Sequence, residues 1–212
     1  MIDQGLDHLL ATGVVAVVRA REAKGLTTVA KALLSGGVQA VEITLTTPGA
    51  VAAIAELARG GEGLLVGAGT VLDAAAARSV LDAGARFVVS PTFEPDVIRV
   101  CRDRNVPCIP GAFTPTEILA AWRAGAALVK LFPAVTVGPG FVREVLGPLP
   151  SLRIVPSGGV TLESVGDWIR AGAAAVSVGG ALLGGPPAEL TARARAFVTA
   201  VATARQSLER GQ

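Results

Sequence analysis

The stretch RAGAALVKLFP, residues 123–133, decides the fold of this chain. It has the pattern of a helix end, a glycine in the left-handed position that closes the helix, and a short apolar strand that follows at once. The same pattern recurs in DAGARFVVSP, residues 82–91, and in RAGAAAVSVGG, residues 170–180. This weak internal repeat of helix, glycine and strand predicts parallel strands joined by right-handed crossovers.

Strand-length apolar runs rich in β-branched residues extend the repeat over the whole chain. Helical spacing fills the segments between them, for example in residues 72–83 and 115–124, and we expect Asp73, Thr114 and Thr161 to cap the helices that follow them. The alternating units predict an α/β fold, a single-domain (β/α)8 TIM barrel over residues 1–212 with a short N-terminal helix. A doubly wound open sheet is the alternative, in which polar residues would lie outside the strands. The runs are VVAVV from Val14, VEITL from Val41, LLVGAG from Leu64, FVVSP from Phe87, CIPGAF from Cys108, LVKLFP from Leu128, IVPSGG from Ile154 and AVSVGG from Ala175.

The composition fits one globular domain and argues against several functional classes. A chain of 212 residues can bury one sizeable core. The formal net charge is only +2 and the arginines are scattered, so we expect no nucleic-acid partner and no binding to an anionic membrane. No segment has the length and flanks of a signal peptide or a transmembrane helix. Cys101, Cys108 and His8 lack the spacing of a metal site, and two reduced cysteines indicate a cytoplasmic protein.

Charged residues inside the predicted strands are the most informative feature of the sequence. Lys130 stands between Val129 and Leu131 in LVKLFP, so that strand alternation turns the lysine inward and the two apolar residues towards the helices. The same alternation turns Glu42 inward from VEITL, and Arg19 ends the first run in the inward phase. Because active sites of this fold lie at the carboxyl ends of the strands, we expect these three groups to converge there.

A structural ion pair between Lys130 and Glu42 is the alternative to a catalytic role. Desolvation offsets most of the attraction in a buried ion pair, and lysine and glutamate are rarely buried without a functional reason. An unprotonated lysine amine attacks ketones and forms an imine, and a nearby carboxylate can move the protons. The pattern therefore favours a nucleophilic amine with a carboxylate as its acid and base.

Two glycine-rich turns follow the last two runs, PSGGV at residues 156–160 and VGGALLGG at residues 178–185. Both precede helical stretches, and bare glycine lets backbone N–H groups approach an anion. These loops are the usual phosphate site of the barrel, although the glycines could serve only as tight turns. GAGTVL, residues 67–72, lacks the third glycine of a dinucleotide fingerprint, and we interpret it as a tight turn that offers Thr70 to a ligand.

As a set, VEITLTTP, VGAGTV, VSP, IPGAFTPTE, LVKLFPA and VPSGGV resemble the KDPG aldolase family over nearly the whole chain. These are the 2-dehydro-3-deoxy-6-phosphogluconate aldolases, with relatives that act on the phosphogalactonate isomer and on 4-hydroxy-2-oxoglutarate. The resemblance implies a class I aldolase, an aldehyde-lyase of Entner–Doudoroff carbohydrate metabolism that releases pyruvate and glyceraldehyde 3-phosphate. It also implies a homotrimer without a metal or another cofactor.

The resemblance assigns roles to individual residues of this chain. Lys130 becomes the Schiff-base lysine and Glu42 the acid and base. The sequence departs from many family members at Thr46, where an arginine pairs with the substrate carboxylate, and this leaves Arg19 as the candidate cation. A second departure is Ala181, where many members have a serine that contacts phosphate. The implied substrate-binding residues are Arg19, Thr46, Thr70, Pro91 and Phe132, with Ser157, Gly158, Gly159, Gly179 and Gly180 around the phosphate.

Three other functions compete with this interpretation. The first is a sister substrate within the same family. The second is a metal-free isomerase or lyase of another phosphate-binding barrel family, such as those of tryptophan or histidine synthesis, which would not use Lys130 as a nucleophile. The third is a barrel without catalytic activity that serves binding or assembly.

Overall fold

The computed structural model describes residues 2–60 and 63–210 and contains a barrel of short parallel strands. Each apolar run of the sequence forms a strand, and the fifth run forms two, because Pro110 lacks an N–H group and interrupts the ladder. The strands are β1 (Val14–Val18), β2 (Ala40–Thr44), β3 (Leu65–Gly69), β4 (Val88–Val89), β5 (Cys108–Ile109), β6 (Gly111–Ala112), β7 (Val129–Leu131), β8 (Ile154–Pro156) and β9 (Val176–Val178).

The strands close into a ring through two seams. One sheet has the order β5-β4-β3-β2-β1-β9 and the other the order β6-β7-β8. Pro110 joins β5 to β6 along the chain, and a parallel bridge between Ser157 and Ser177 joins the end of β8 to β9. All pairings are parallel, so the predicted (β/α)8 TIM barrel is confirmed and the open doubly wound sheet is excluded.

Helices alternate with the strands, and a first helix precedes them all. The capping signals of the sequence hold at Asp73, whose side chain accepts from the Ala76 N–H, and at Thr114, which forms a capping box with Glu117. The helices are α1 (Ile2–Thr12), α2 (Leu26–Ser35), α3 (Ala50–Arg59), α4 (Ala74–Asp82), α5 (Pro95–Asp103), α6 (Pro115–Arg123), α7 (Pro139–Leu146), α8 (Val165–Arg170), α9 (Gly180–Leu183) and α10 (Leu190–Arg210).

Two apolar cores lie on opposite faces of the barrel wall. Val129 and Leu131 belong to the outer core under the helices, whereas Leu128 belongs to the inner core. Leu6 and Leu9 of α1 pack into the inner core, so that α1 closes the amino-terminal end of the barrel. The inward and outward phases predicted from strand alternation are therefore those of the structure, and the carboxyl end of the barrel remains open.

No helix among the described residues has the length and apolar character needed to cross a membrane. Cys101 on α5 and Cys108 on β5 are both buried and both free thiols. A hydrogen bond with the Cys101 side chain, followed by burial, holds the pKa of Cys108 well above the ordinary thiol value, so that this thiol stays protonated.

Candidate active site

A cavity of about 610 Å³ opens at the carboxyl ends of the strands. It brings together side chains from β1, β2, β7 and β9 and from the loops that follow β1, β3, β4, β7, β8 and β9. Every substrate-binding residue predicted from the sequence lines this cavity except Thr46. The lining residues predicted from the sequence are Arg19, Glu42, Thr70, Pro91, Lys130, Phe132, Ser157, Gly158, Gly159, Gly179 and Gly180.

Lys130 projects into the cavity from the middle of β7. Its residue surface is only 7% exposed, and its Nζ lies 5.2 Å from the centroid of the Phe132 ring. The amine takes part in none of the salt bridges found in the described chain, so the structural ion pair with Glu42 does not form. A nearly buried amine that is not paired with a carboxylate remains available to attack a carbonyl carbon.

Glu42 lies on β2 and is 1% exposed. Neither carboxylate oxygen has a hydrogen-bond partner among the described residues, and an unpartnered buried carboxylate is costly to keep ionised. Burial raises the pKa of Glu42, while the positive charges of Lys130 and Arg19 act in the opposite direction. A carboxyl group in this state can bind and release a proton during a reaction.

Gly69 at the end of β3 makes room for this carboxylate. A Cβ atom at position 69 would overlap the Oε1 atom of Glu42, so no other residue fits there unless the carboxylate moves. The glycine at position 69 is therefore explained by the Glu42 side chain, which projects from the neighbouring strand β2.

Thr70 follows β3 and faces the cavity with an unusual backbone. Its φ angle is 59°, in the left-handed region that β-branched residues rarely adopt. Such a conformation costs on the order of 1–3 kcal/mol and is concentrated at functional sites. Residues 67–69 of the predicted tight turn belong to β3, and the chain bends only at Thr70, so the strain falls on the residue that the sequence offered to a ligand.

Arg19 is, with Lys130, one of the two cationic side chains of the described chain that line the cavity. It follows β1, is exposed at the cavity wall and forms no ion pair within the part of the chain that the structure describes. Thr46 is exposed outside the cavity wall, and its hydroxyl shares a hydrogen bond of 2.9 Å with the hydroxyl of Thr44, which does line the cavity. The structure therefore places Arg19 at the site and connects Thr46 to it only through Thr44.

The two glycine turns lie side by side on the cavity rim. Gly158 and Gly159 have φ angles of 87° and 85°, and neither N–H group finds an acceptor in the described chain. A Cβ atom on Gly159 would overlap the side chain of Val135. Gly180 begins the short helix α9, and the exposed Ala181 follows it. Unsatisfied N–H groups that face a cavity suit an anion.

Three polar residues that were not assigned to the site from the sequence complete its lining. Thr44 follows Glu42 by two positions on β2, and Ser177 stands between two outward valines on β9. Strand alternation turns both inward and could have found them. Thr161 was expected to cap the next helix, but α8 begins only at Val165, and the Thr161 hydroxyl instead accepts from the Ser164 N–H at 3.3 Å. Ala181 completes the rim without a hydroxyl.

The fold and the cavity together define a class of protein. A free, nearly buried amine and a carboxylate with a raised pKa share one cavity at the active end of a TIM barrel, next to a rim of unsatisfied N–H groups. This combination is suited to imine chemistry on a keto acid that carries an anionic group at its far end.

The chain belongs to the KDPG and KHG aldolase family, whose model matches residues 6–193. The resemblance noted from the sequence motifs is thereby confirmed. Members of this family are aldolases, which are carbon–carbon lyases, and the prediction of an enzyme of this class is confirmed as well.

Two relatives have the same name. The chain is 41% identical over 141 residues to a 2-dehydro-3-deoxy-phosphogluconate aldolase of Pseudomonas aeruginosa, a match that covers 66% of this chain and 64% of the relative. It is 37% identical over 169 residues to the protein of that name from Treponema pallidum, with 79% of each chain covered.

Solved structures agree with the fold. A native KDPGal structure superposes with a TM-score of 0.86 at 31% identity and covers 91% of this chain and 96% of its own. A KDPG aldolase of Legionella pneumophila, with pyruvate captured as a covalent carbinolamine, has a TM-score of 0.80 at 26% identity and covers 95% of this chain and 98% of its own.

Proposed function

We propose that this protein is a class I aldolase that cleaves 2-dehydro-3-deoxy-6-phosphogluconate to pyruvate and glyceraldehyde 3-phosphate. The observation that carries the proposal is the Lys130 amine, nearly buried and in no salt bridge of the described chain, in one cavity with the Glu42 carboxylate. The covalent pyruvate adduct of the Legionella pneumophila relative supports the same chemistry.

The reaction begins when the Lys130 Nζ attacks the C2 ketone of the substrate and forms a carbinolamine. Glu42 donates the proton that allows water to leave, and the resulting imine carries the positive charge. Glu42 then removes the proton of the C4 hydroxyl, the C3–C4 bond breaks, and its electron pair moves into the imine to give an enamine while the aldehyde departs. Protonation of the enamine at C3 and hydrolysis release pyruvate and free the lysine.

The remaining cavity residues hold the two ends of the substrate. We propose that Arg19 and Thr70 bind the carboxylate, with Thr46 contributing through Thr44, and that Pro91 and Phe132 pack on the pyruvyl unit. The phosphate would lie at the rim, on the N–H groups of the two glycine turns. The rim residues of this proposal are Ser157, Gly158, Gly159, Gly179 and Gly180.

A sister activity on 4-hydroxy-2-oxoglutarate or on the phosphogalactonate isomer is the second candidate. It is favoured by the family description, which includes KHG aldolases, and by the likeness to the KDPGal structure. Ala181 favours 4-hydroxy-2-oxoglutarate in particular, because it lacks the hydroxyl that would strengthen a phosphate site.

We further propose that residues 1–212 act as one aldolase domain in a cytoplasmic homotrimer of the Entner–Doudoroff route, without a metal or another cofactor. A designed protein cage built from symmetric oligomeric domains has a TM-score of 0.88 to this chain at 31% identity, covering 94% of this chain and 75% of its own, which supports an oligomer.

The experiment that tests the function is borohydride trapping with pyruvate. Pyruvate and borohydride should inactivate the protein and add one pyruvyl mass to the peptide that contains Lys130, because reduction fixes the imine. Lys130→Arg should prevent both effects, since a guanidinium stays protonated and is no usable amine. Mass spectrometry of the digested protein gives the site of labelling.

Lys24→Arg and Lys31→Arg are the matched controls, because both lysines are exposed. Both variants should be labelled and inactivated as the wild type is. Labelling at Lys24 or Lys31 would contradict the mechanism, and the absence of any adduct would favour an isomerase of another barrel family or a barrel without catalytic activity.

A further inference from the structure

The strained backbone of Thr70 needs an external constraint to persist. Its φ angle of 59° places a β-branched residue in a region that such residues leave when nothing holds them there. The threonine lines the cavity, and its hydroxyl forms no hydrogen bond with the described part of the chain. The direction of this free hydroxyl therefore depends on whatever fixes the adjacent peptide groups.

The next residue, Val71, is held on both sides by the end of β4. The Val71 N–H donates to the carbonyl of Val89 at 3.2 Å, and the carbonyl of Val71 accepts from the Ser90 hydroxyl at 2.7 Å. The second bond is short and fully buried, with Ser90 itself 0% exposed. The first bond holds the peptide unit between Thr70 and Val71, and the second holds the next one, between Val71 and Leu72, so the chain is fixed directly after Thr70.

Ser90 is itself rigidly placed. Its N–H donates to the carbonyl of Ile109 at 3.3 Å, and its neighbour Pro91 lines the cavity beside Thr70. The Pro91 carbonyl lies so close to Gly111 that a Cβ atom on residue 111 would overlap this carbonyl. The Gly111 N–H donates to the carbonyl of Thr92 at 3.1 Å. Ser90 thus connects the loop after β3 to β5, and the Pro91–Thr92 segment that follows it is held against β6.

We propose that Ser90 is a positioning residue of the active site, which holds Thr70 in its left-handed conformation so that the threonine hydroxyl meets the carboxylate of the bound pyruvyl unit. This inference rests on the function proposed above and assigns a task to a side chain that does not line the cavity. Without the Ser90 hydroxyl, the Val71 carbonyl loses its buried donor and Thr70 is free to relax towards negative φ, which turns its hydroxyl away.

The test is the pyruvate dependence of borohydride trapping in Ser90→Ala. The half-saturating pyruvate concentration should rise about tenfold, the loss expected when one hydrogen bond to a charged group is removed. The trapping rate at saturating pyruvate should stay close to that of the wild type, because Lys130 and Glu42 are not disturbed. Should Ser90→Ala fail to fold, Ser90→Cys retains a weak donor of similar size and should give a smaller rise.

A double-variant comparison separates this role from a general structural one. Thr70→Ala should raise the half-saturating concentration by a similar factor, and adding Ser90→Ala to it should change that concentration little, because both act through one hydroxyl. Thr191→Val is the control, since the Thr191 hydroxyl also donates to a backbone carbonyl, that of Ala32 at 3.0 Å in a partly buried hydrogen bond, but lies away from the cavity. It should lower the melting temperature and leave the pyruvate dependence unchanged.

The outcomes distinguish a failure of the positioning role of Ser90 from a failure of the proposed Schiff-base function. An unchanged half-saturating concentration in the folded Ser90 variants overturns the positioning role, and so does a second full rise when Ser90→Ala is added to Thr70→Ala. No adduct in the wild type would instead contradict the Schiff-base function itself, and the positioning role with it.

Discussion

Glu42 shows how a single residue can be placed at the expense of stability. Its carboxylate is buried, its oxygens have no partner in the described chain, and burial is the largest cause of its raised pKa. The folded protein therefore holds the Glu42 proton more tightly than the unfolded chain does. Stability falls as the pH rises from the ordinary glutamate pKa through the raised value, and the loss persists above it.

Glu42→Gln keeps the shape of the side chain and removes the ionisable group. We expect turnover to fall by roughly 10²- to 10⁴-fold, the usual effect of losing a general acid and base, while trapping of pyruvate survives in part. The melting temperature of the variant should exceed that of the wild type at neutral pH, and the difference should shrink in acid, where the wild-type carboxyl is protonated. Steady-state kinetics and thermal unfolding at several pH values measure both effects.

Near-normal turnover in Glu42→Gln would make the glutamate a structural residue. A melting temperature that stays below the wild-type value at every pH would show that the carboxylate is stabilised by its surroundings, against the unpartnered burial found here.

At the residue scale, strand alternation predicted from the sequence which strand side chains line the cavity. Lys130 and Glu42 were found because a charge in an apolar strand can only point into the barrel. The conformation of Thr70 and the task of Ser90 could not be found in this way, because both depend on hydrogen bonds between loops that follow different strands. Arg19 was placed at the site by the same alternation, although β1 ends one residue before it.

Among the elements, the glycine turns were easier to predict than the starts of the helices. The left-handed positions at Gly84, Gly125 and Gly172 have φ angles of 100°, 100° and 102°. In contrast, α8 begins at Val165, four residues after the predicted cap at Thr161, because the Thr161 and Ser164 side chains close a separate turn first. The local sequence pattern identifies a turn, but it does not show how many turns precede the start of the helix.

At the scale of the elements, the prediction concerns the cavity rim that the two glycine turns form. Ala181→Ser should lower the KM for a phosphorylated substrate about ten- to a hundredfold, because it adds a hydrogen bond to a charged group worth about 1.5–3 kcal/mol. The same change should leave 4-hydroxy-2-oxoglutarate unaffected, since that substrate has no phosphate to meet the new hydroxyl. A comparison of kcat/KM on both substrates for both proteins measures the effect.

Equal changes on the two substrates would show that these loops serve only as turns. A wild type that does not distinguish a phosphorylated substrate from one without phosphate would shift the function towards 4-hydroxy-2-oxoglutarate.

At the scale of the whole molecule, the repeat of helix, glycine and strand was sufficient to predict a barrel. The contacts that close the ring were not predictable, because they are the bridge between Ser157 and Ser177 and the continuation of the chain through Pro110. The first seam is a contact between two strand ends, and the second is an interruption within one apolar run. The periodicity of the sequence carries no information about either seam. The division into an inner and an outer core follows from the alternation once the ring is closed.

The last prediction concerns metals and follows from where the side chains that could bind a metal ion lie in the molecule. Within residues 2–60 and 63–210 no group of three or more His, Cys, Asp or Glu side chains lies close enough together to hold a metal ion, and the His8 side chain lies outside what the structure describes. The two thiols are buried between α5 and β5, away from the cavity. Carboxylates such as Asp82, Asp96 and Asp167 are engaged in surface ion pairs with arginines.

Under the proposed function, catalysis rests on the amine of Lys130, whose imine accepts the electron pair that a metal-dependent aldolase would stabilise with its cation. Prolonged chelation followed by gel filtration should leave kcat and KM unchanged within about twofold, and added Zn²⁺ or Mg²⁺ should not raise activity. The same preparation of Lys130→Arg should stay inactive whether or not metal is supplied. An activity that is lost on chelation and restored by a divalent cation would refute the assignment of Lys130, because the electron sink would then be the metal and the lysine amine would have no step to perform.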